Sequence, residues 1–439
     1  MNAKRIMIDG YNLALEKGTG VATYSRNLSL ELSRLGHKID LLYGVRASIG
    51  KNVLLNEVNF FDTGTSRALR APEIVRTMAK SSFGLEAKEV KLTGKVVARN
   101  PIRVLPAHDR IFNYRNLFIM ARRHFRLFGN FLPTTYEQPA HIAHWTYPLP
   151  IRLKNAANIY TIHDLVPLRL PYTTLDNKRE YYRVIRDIVR YSDHIVTVSE
   201  ASKRDIVDLF EVPEEKITNT YQSVSLPQHI LERSFDEVSD EVDSIFGLDT
   251  KKYFLFFGAI EPKKNVGRII EAYLASQSDL PLVVVGQVTW KDSNELRLIE
   301  VSDKKDAEAL LERKTTGIAR ARQIIRLDYL PLNLLASLIR CARAVVFPSL
   351  YEGFGLPILE AMQLGTAVIT GTEGSNPEVA GEGAYLVNPY DVSEIAQAMR
   401  DLQHDDDLVE HYETAGQERA KMFSPERYSE RLNALYSTL

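Results

Sequence analysis

The sequence predicts an α/β protein with two doubly wound parallel sheets, one in each half of the chain. Short apolar runs of strand length alternate throughout with stretches whose apolar residues recur at helical spacing. Parallel strands that are covered by helices on both faces produce this pattern. The pattern starts again at residues 253–257 (YFLFF), after a polar, acidic stretch at about residues 232–244. The length of 439 residues also favours two or three domains over one.

The first half contains five predicted strands with helices between them. The strands are residues 5–9 (RIMID), 38–43 (KIDLLY), 159–162, 194–198 and 217–221. The helices are residues 23–35, 175–191 and 201–210. Because connections of this kind join parallel strands, the first half is predicted to be one doubly wound unit.

The second half repeats the arrangement. Its predicted strands are residues 253–257, 282–285, 324–327, 344–347, 367–369 and 385–387. Its predicted helices are residues 266–275, 333–341 and 356–364. The polar stretch before them is predicted to be a linker. We therefore expect domains at residues 1–235 and 236–423, followed by a final helix at residues 424–439.

Composition and charge exclude several classes of protein. The chain has 55 basic and 56 acidic residues, and its net charge of −1 excludes a surface that is basic all round for nucleic acid. Its single cysteine, Cys341, excludes an internal disulfide and a cysteine zinc cluster. No apolar run approaches the ~18–20 residues of a membrane-spanning helix. We therefore expect a cytoplasmic protein that has no integral membrane anchor and binds no nucleic acid.

A basic segment at residues 88–128 interrupts the alternation. Between Lys88 and Arg126 there are ten basic residues and two acidic ones, interleaved with aromatic and aliphatic residues. Residues 113–128 can form an amphipathic basic helix, which favours contact with an anionic membrane surface. The alternative is a helix that packs into the core and exposes its basic face to water.

The densest motif is residues 349–362 (SLYEGFGLPILEAM), which follows a predicted strand. Gly353 and Gly355 allow a tight turn, and Pro357 suits the first turn of a helix. A strand, a glycine turn and a helix start bring free backbone N–H groups and the positive end of the helix dipole to one point. The motif therefore predicts an anion site, most usefully for phosphate. Two interpretations are open for Glu352 and Glu360. Either both face this site, or Glu352 is a solvated carboxylate of the loop and Glu360 is a first-turn charge that interacts favourably with the helix dipole.

Three further groups follow predicted strands. Residues 17–20 (KGTG) form a second glycine turn before a helix, which indicates either a close ligand approach or an ordinary loop. Lys263 and Lys264 follow the first strand of the second half, where doubly wound sheets bind ligands, and two lysines suit a diphosphate; the alternative is a surface loop with solvated lysines. The pair His163-Asp164 ends a strand of the first half and is expected to face the same crevice, unless His163 is a structural residue with its hydrogen bonds satisfied.

Metal and hydrolytic sites are not predicted. His141 and His144 have a spacing seen in metal sites, but no third ligand accompanies them. The sequence has no nucleophile elbow, and its acidic residues do not form an evident hydrolytic pair. We therefore expect no metal and no other cofactor.

These motifs together resemble the retaining glycosyltransferases of family 4, whose GT-B fold has two Rossmann-like domains facing each other across a cleft. The resemblance covers nearly the whole chain. Its most specific feature is the motif E-x7-E, formed by Glu352 and Glu360. The other blocks, in chain order, are residues 160–165 (YTIHDL), 197–202 (TVSEAS), 258–265 (GAIEPKKN) and 376–381 (NPEVAG). Their pattern is most similar to the bacterial mannosyltransferases that build O-antigen and other surface polysaccharides.

The resemblance implies roles for individual residues. Lys264 is expected to grip the donor diphosphate with help from Lys263, and His163 to lie over the sugar at the reaction centre. Glu352 is expected to bind sugar hydroxyls and Glu360 the ribose. The other residues expected to bind substrate are Phe354, Gly355 and Leu356 through backbone N–H groups, Gly18 and Gly20 beside the phosphates, and Ser199 in the cleft.

One position departs from the family pattern. Many members carry Arg directly after the glycine that matches Gly258, and this chain has Ala259 there. Either Lys263 supplies the missing charge, or the diphosphate is stabilised by Lys264 and the helix dipole. The family mechanism needs no enzymic nucleophile, because the acceptor attacks from the face that the diphosphate leaves and the leaving phosphate takes the proton.

The resemblance implies a hexosyltransferase in lipopolysaccharide O-antigen synthesis, with GDP-mannose as the first-choice donor. A UDP- or dTDP-linked hexose is the alternative donor. The expected acceptor is a glycan or an undecaprenyl-diphosphate-linked glycan, and the basic segment at residues 88–128 is the candidate contact with the inner membrane. Other classes are a GT-B epimerase or phosphorylase, and a non-catalytic scaffold. The final helix, residues 424–439, is expected to cross back to the first domain.

Overall fold

The computed structural model describes residues 3–14, 20–62, 71–97, 105–224, 226–288 and 324–439. Gly18 and residues 98–104 of the basic segment lie outside this part of the chain. The described residues form two sheets, one of ten strands and one of six. The two α/β halves that the sequence predicts are therefore confirmed.

The first half carries the larger sheet. Its strands are β1 (Arg5–Asp9), β2 (Lys38–Tyr43), β3 (Leu85–Glu89), β4 (Arg110–Asn113), β5 (Leu132–Tyr136), β6 (Ile142–Trp145), β7 (Ile151–Leu153), β8 (Ala157–Ile162), β9 (His194–Thr197) and β10 (Ile217–Asn219). Its helices are α1 (Gly20–Arg34), α2 (Val53–Phe61), α3 (Ala71–Ser81), α4 (Leu117–Phe128), α5 (Val166–Arg169), α6 (Lys178–Tyr191), α7 (Glu200–Phe210) and α8 (Gln228–Leu231).

Seven strands of the first sheet are parallel, in the order β10-β9-β8-β6-β1-β2-β4. The three that complete the order, β3, β5 and β7, run in the opposite direction because β3 pairs antiparallel with β4. The five strands that the sequence predicts in this half are all parallel to one another, and the three reversed strands are additional to them. An antiparallel pair of strands needs no crossover helix between them.

The second half has six parallel strands in the order β13-β12-β11-β14-β15-β16. They are β11 (Phe254–Phe257), β12 (Leu282–Val285), β13 (Ile324–Leu327), β14 (Ala344–Phe347), β15 (Val368–Gly371) and β16 (Tyr385–Val387). Its described helices are α9 (Phe235–Phe246), α10 (Val266–Ser276), α11 (Leu332–Cys341), α12 (Leu356–Gln363), α13 (Asn376–Ala380), α14 (Val392–His404), α15 (Asp406–Ala420) and α16 (Pro425–Thr438). The strand order changes direction at β11 and β14, where doubly wound sheets bind ligands.

The predicted linker is a helix. Ser234 and Glu237 form a reciprocal capping box at the start of α9, and Val238 and Val242 are buried on its inner face. The many acidic residues of α9 lie on its exposed face, so that the stretch appears polar in the sequence. Charged residues on an amphipathic helix are compatible with a buried apolar stripe, and the polar linker that the sequence predicts is therefore helical over these residues.

The last helix, α16, contacts the first half. The hydroxyl of Tyr436 forms a short hydrogen bond with Nδ1 of His144 in β6, and both side chains are buried. The ammonium group of Lys4 donates to the carbonyl oxygen of Tyr436 at 2.8 Å. The final helix therefore contacts β6 and the residue that precedes β1.

Helix α4 contains the apolar part of the basic segment. Six of its residues are buried, among them Phe118, Met120 and Phe125. Ile119, Leu127 and Phe128 are exposed beside the basic residues. The helix thus packs into the core and also leaves an apolar and basic outer face. Within the described residues, no helix combines the length and the apolarity that crossing a bilayer requires.

Candidate active site

The glycine loop of the second half joins β14 to α12. Gly355 caps α12 with φ 98°, a backbone conformation that glycine adopts at little cost. Pro357 lies in the first turn, where its missing N–H is not needed. The free N–H groups of this first turn and the positive end of the helix dipole are directed back at the loop, an arrangement that favours binding of an anion.

The lysine turn that follows β11 is fixed against this glycine loop. Asn265 adopts the left-handed conformation at φ 64°, and its Nδ2 donates to the carbonyl oxygens of Pro348 at 3.0 Å and Pro389 at 2.6 Å. The N–H of Leu350 donates to the carbonyl oxygen of Lys263 at 2.8 Å. Lys263 and Lys264 are therefore held beside the loop that carries Glu352.

Glu352 and the two lysines form a buried cluster. Nζ of Lys264 lies 2.6 Å from Oε1 of Glu352, and Nζ of Lys263 lies 3.8 Å from Oε2. Burial alone would raise the pKa of Glu352, but the charges of Lys264 and Lys263 outweigh it and the pKa is lowered. Burial alone would lower the pKa of Lys263, but the carboxylates of Glu352, Asp164 and Glu261 raise it. Glu352 and Lys263 therefore stay charged at neutral pH.

Glu360 lies in α12 near the same cluster. Burial raises its pKa to about 7, and the charge of Lys264 offsets this only in part. Lys264 therefore acts on both glutamates of the E-x7-E motif, which places both near one cation. Near pH 7 a large share of Glu360 is protonated, whereas Glu352 is ionised.

The two halves meet closely at Gly353. A Cβ atom at this position would lie 2.3 Å from the carbonyl oxygen of His163 and 3.0 Å from Cβ of Asp164. A Cβ at Gly20, the first residue of α1, would lie 3.4 Å from a methyl group of Leu356, the first residue of α12. The N-terminal ends of one helix from each half are thus neighbours at the junction.

His163 is oriented by the first half. Its Nε2 lies 2.9 Å from the carbonyl oxygen of Thr146. Because a carbonyl oxygen only accepts hydrogen bonds, Nε2 carries the proton and Nδ1 has the free lone pair. Burial lowers the pKa of His163, which favours the neutral ring. The edge of the ring packs against Tyr24 at a centroid distance of 4.9 Å.

Sequence analysis missed Asp9, which supports Thr146. The buried Asp9 carboxylate accepts hydrogen bonds from the backbone N–H and the hydroxyl of Thr146, and one from the N–H of Tyr11. Burial raises the pKa of Asp9 to about 6, although these hydrogen bonds act in the opposite direction. The position of Asp9 at the end of a buried strand, before Gly10, was the only available indication.

Ser199 and Phe354, which are expected to bind substrate, make contacts that stabilise the fold. Ser199 is buried and its hydroxyl caps α7 by accepting from the N–H of Ser202 at 3.0 Å. The ring of Phe354 is buried between Tyr221 of the first half and Phe423 of the second. Any contact that Phe354 makes with a phosphate would therefore come from its backbone.

Residues 374–376 form hydrogen bonds with the loop that carries Glu352. The N–H and hydroxyl of Ser375 donate to the carbonyl oxygen of Glu352 at 3.2 and 2.9 Å. Nδ2 of Asn376 donates to the hydroxyl oxygen of Ser349 at 3.1 Å. These contacts hold the start of the block at residues 376–381 against the loop that carries Glu352.

His141 and His144, whose spacing resembles that of a metal site, form hydrogen bonds with protein groups. Nε2 of His144 lies 2.7 Å from the hydroxyl of Thr161, and Nδ1 of His141 accepts from the N–H of Arg5 at 3.1 Å. Burial lowers the pKa of His144 to about 3. Among the residues that the structure describes, no three His, Cys, Asp or Glu side chains are grouped to hold a metal ion.

Two family models match successive parts of the chain. The model described as Glycosyltransferase Family 4 matches residues 18–226, and the model described as Glycosyl transferases group 1 matches residues 239–419. The sucrose-phosphate synthase structure from Thermosynechococcus elongatus has a TM-score of 0.62 to this chain at 18% identity, and the match covers 99% of this chain and 98% of that one. A likeness at this identity concerns the fold.

Curated relatives match by sequence. "O-antigen chain mannosyltransferase B" of Escherichia coli is 31% identical over 281 residues, which are 63% of this chain and 68% of the relative. "O-antigen chain mannosyltransferase RfbU" of Salmonella typhimurium is 28% identical over 270 residues, 61% of this chain and 66% of the relative. The matches thus span about two thirds of each relative's own length.

Two α/β halves with a helix N-terminus and a buried lysine–glutamate cluster at their junction define a glycosyltransferase of the GT-B fold. The two family models and the Escherichia coli relative agree with this class. The chain belongs to glycosyltransferase family 4.

Proposed function

We propose that this glycosyltransferase is a retaining mannosyltransferase that transfers mannose from GDP-mannose to a glycan or an undecaprenyl-diphosphate-linked glycan during O-antigen synthesis. The mannose and O-antigen assignments rest on the names of the two bacterial relatives. The observation that carries the chemistry is the placement of Lys264 and Lys263 around Glu352, beside the start of α12. UDP- and dTDP-linked hexoses are the alternative donors.

The proposed donor site stabilises the departing diphosphate. Lys264 would exchange part of its contact with Glu352 for a phosphate oxygen, and Lys263 would supply the charge that Ala259 does not. The N–H groups of Phe354, Gly355 and Leu356 would donate to the phosphates and the donor sugar. Preorganised donors of this kind are commonly the largest contribution to lowering a barrier at which negative charge develops.

The remaining residues orient the sugar and the ribose. Glu352, ionised and fixed by the lysines, would accept hydrogen bonds from sugar hydroxyls, and Glu360 would accept them from the ribose. His163 would lie over the reacting carbon, with its Nδ1 available to accept a hydrogen bond. The acceptor hydroxyl would attack from the face that the diphosphate leaves, and its proton would pass to the leaving phosphate, so that the anomeric configuration is retained.

The proposal includes the organisation of the chain. Residues 1–235 would bind the acceptor, residues 236–423 the donor, and residues 424–439 would connect back to the first domain. Gly18 and Gly20 would lie beside the phosphates, and Ser199 would support the cleft. The exposed face of the basic segment at residues 88–128 would contact the cytoplasmic face of the inner membrane.

The test is a donor screen followed by product analysis. Thermal shift with GDP, UDP and dTDP sugars is expected to give the largest stabilisation with GDP-mannose, because a ligand that binds only the folded state raises its stability. NMR of the product, or of donor hydrolysed without acceptor, is expected to show the α-anomer when it first forms. Stabilisation by a UDP sugar alone would reject the GDP assignment, and an initial β-anomer would reject retention.

A further inference from the structure

Asp9 is a fully buried carboxylate at the end of β1 that the proposed mechanism does not use. Within the part of the chain that the structure describes, Asp9 forms no ion pair, and burial raises its pKa to about 6. Buried groups with shifted pKa values cluster at functional sites. Asp9 is also only two hydrogen bonds away from His163, because Thr146 binds both residues.

Asp9 holds Thr146 at two atoms. Its Oδ2 accepts a short hydrogen bond from the backbone N–H of Thr146 and a second one, of 2.8 Å, from the Thr146 hydroxyl. The hydroxyl of Ser25 in α1 lies 2.9 Å from Oγ1 of Thr146 and donates to it, because that oxygen gives its own proton to Asp9. The backbone N–H and the side chain of Thr146, which is fully buried, are therefore both fixed by groups of the first half.

The peptide group that contains the Thr146 carbonyl is also fixed from its other side, by Tyr147. The ring of Tyr147 stacks on Tyr11 at a centroid distance of 5.7 Å and an interplanar angle of 30°. The N–H of Tyr11 donates to Oδ1 of Asp9 at 3.1 Å, and the hydroxyl of Tyr11 accepts from Arg122 in α4 at 2.9 Å. Both residues that this peptide bond joins are therefore held by Asp9, Thr146 directly and Tyr147 through Tyr11.

The direction of the Thr146 carbonyl determines which nitrogen of His163 carries the proton. The carbonyl oxygen lies 2.9 Å from Nε2 and accepts its proton, which leaves the lone pair on Nδ1. Which ring nitrogen of a histidine is protonated depends on the hydrogen bond that the other nitrogen or the same one makes. Because burial lowers the pKa of His163 and favours the neutral ring, the tautomer decides whether Nδ1 accepts or donates a hydrogen bond.

We infer that Asp9 is a positioning residue for the transfer reaction, which acts through Thr146 and Tyr11 to aim the carbonyl that fixes the tautomer and orientation of His163. The inference rests on the proposed function, in which His163 lies over the reacting carbon. Asp9 is fully buried and touches no substrate itself. Because most of the proposed donor contacts come from the second half, loss of Asp9 is expected to slow the reaction and to leave donor binding nearly unchanged.

The test compares Asp9→Asn with Glu57→Gln in the full-length protein. Glu57 is the matched control, because it is buried and accepts hydrogen bonds from one hydroxyl and two N–H groups, as Asp9 does. Its partners are Thr93 and Gly94, and it makes no hydrogen bond with Thr146. Two further variants isolate the hydroxyl contact, since Thr146→Val removes it and Thr146→Ser keeps it.

Two measurements separate positioning from general damage to the fold. The ¹⁵N NMR spectrum of the free protein labelled in histidine, with His163→Asn to assign the signals, is expected to show one His163 tautomer in the parent, Glu57→Gln and Thr146→Ser. Asp9→Asn and Thr146→Val are expected to show a mixture of tautomers. In steady-state transfer, kcat of Asp9→Asn is expected to fall about tenfold or more, because misplacing a group at the reacting centre by ~1 Å is costly. The KM for the donor is expected to stay within about twofold of the parent value.

Folded Asp9→Asn and Thr146→Val proteins that keep the parent's kcat and His163 tautomer would show that Asp9 supports only the fold. A lower kcat with an unchanged tautomer, or a raised donor KM at unchanged kcat, would also overturn the inference. If Asp9→Asn does not fold, Thr146→Val and Thr146→Ser decide by the same two measurements. A parent that transfers from no nucleotide sugar rejects the proposed function and this role with it, whereas an active parent that the variants match rejects the role alone.

Discussion

Lys264 and Glu352 form an ion pair at the junction of the two halves, with 2.6 Å between Nζ and Oε1. Removing either partner leaves a buried charge with less compensation, and it also removes a proposed donor contact. Lys264→Ala and Glu352→Ala are each expected to reduce transfer by at least ~10²-fold, the size seen when one preorganised donor to a developing charge is removed. Steady-state transfer from the donor that the screen identifies measures this loss.

Lys252→Ala is the matched control, because Lys252 is exposed and lies outside the cluster. Circular dichroism of each variant checks that the fold survives. Full transfer activity of a folded Lys264→Ala or Glu352→Ala protein would remove that residue from the proposed mechanism.

The raised pKa of Glu360 predicts that the free energy of unfolding depends on pH. Its folded-state pKa of about 7 lies above the ordinary value of 4.5, so the folded state holds this proton more tightly than the unfolded state. The protonated carboxyl therefore favours folding below pH 7, and this contribution is lost as the pH rises from about 4.5 through 7. Glu360→Gln is expected to melt higher than the parent at pH 8 and alike at pH 4.5.

Thermal melts of both proteins at intervals from pH 4.5 to pH 8 measure this difference. Glu394→Gln, in the exposed first turn of α14, provides the comparison and is expected to shift little across the range. Parallel melting curves of Glu360→Gln and the parent at every pH would contradict a raised pKa.

Individual site residues were predictable where the sequence itself carried a dense motif. Lys264 and Glu352 lie together as their positions after strands indicate, because the carboxyl ends of parallel strands meet at one edge. Asp9 was not predictable. Its contacts are with Thr146, which is distant in sequence, and spacing alone does not record such contacts.

At the scale of the element, Gly353 limits how closely the glycine loop approaches the first half. Gly353→Ala places a methyl group 2.3 Å from the carbonyl oxygen of His163 and forces the loop away. Because the loop carries Glu352 and precedes α12, transfer is expected to fall by at least tenfold. Gly50→Ala is the control, since the nearest heavy atom to its Cβ is 3.8 Å away and its φ is not positive.

Transfer assays on the two glycine variants, with thermal melts to compare their stability, measure the effect. A Gly353→Ala protein with the activity of Gly50→Ala would mean that the halves do not need this approach for catalysis.

Strands were predictable more accurately than their directions. Residues 5–9, 38–43, 282–285 and 344–347 form strands with the predicted boundaries, because short apolar runs buried on both faces are distinctive. The reversed edge strands β3, β5 and β7 were not predicted, since they are short and only partly apolar. The helical conformation of α9 was not predicted, because its exposed acidic face dominates its composition and only a polar linker was predicted there.

At the scale of the whole molecule, several contacts hold the halves together in this arrangement. Both carboxylate oxygens of Glu378 accept from the first N–H groups of α7, those of Glu200 at 2.7 Å and Ala201 at 2.9 Å. The hydroxyl of Tyr351 forms a short hydrogen bond with Asp205, which also pairs with Arg169 at 2.6 Å. These contacts close the crevice on the side of α7 and keep His163 next to Gly353.

The outer face of α4 is the surface through which the protein is expected to contact a membrane. Leu127 and Phe128 are 66% and 49% exposed at the end of a basic helix. The protein is expected to float with vesicles that contain 30% phosphatidylglycerol and to be released by high salt, because screening weakens attraction to anionic lipid. The double variant Leu127→Ser, Phe128→Ser is expected to lose most of this binding.

Leu274→Ser is the matched control, since Leu274 is 56% exposed on α10 in the second half. Flotation of the two variants and the parent measures the difference. Equal recovery of all three proteins with the vesicles would contradict a role for this face of α4, and no recovery of the parent would contradict membrane contact through the basic segment.

The bond between His144 and Tyr436 joins residues that are 292 positions apart. During synthesis, β6 and its neighbours leave the ribosome long before α16 is made. The buried imidazole of His144 therefore has Thr161 as its partner in the first half and gains its second partner only when the far end of the chain has been made.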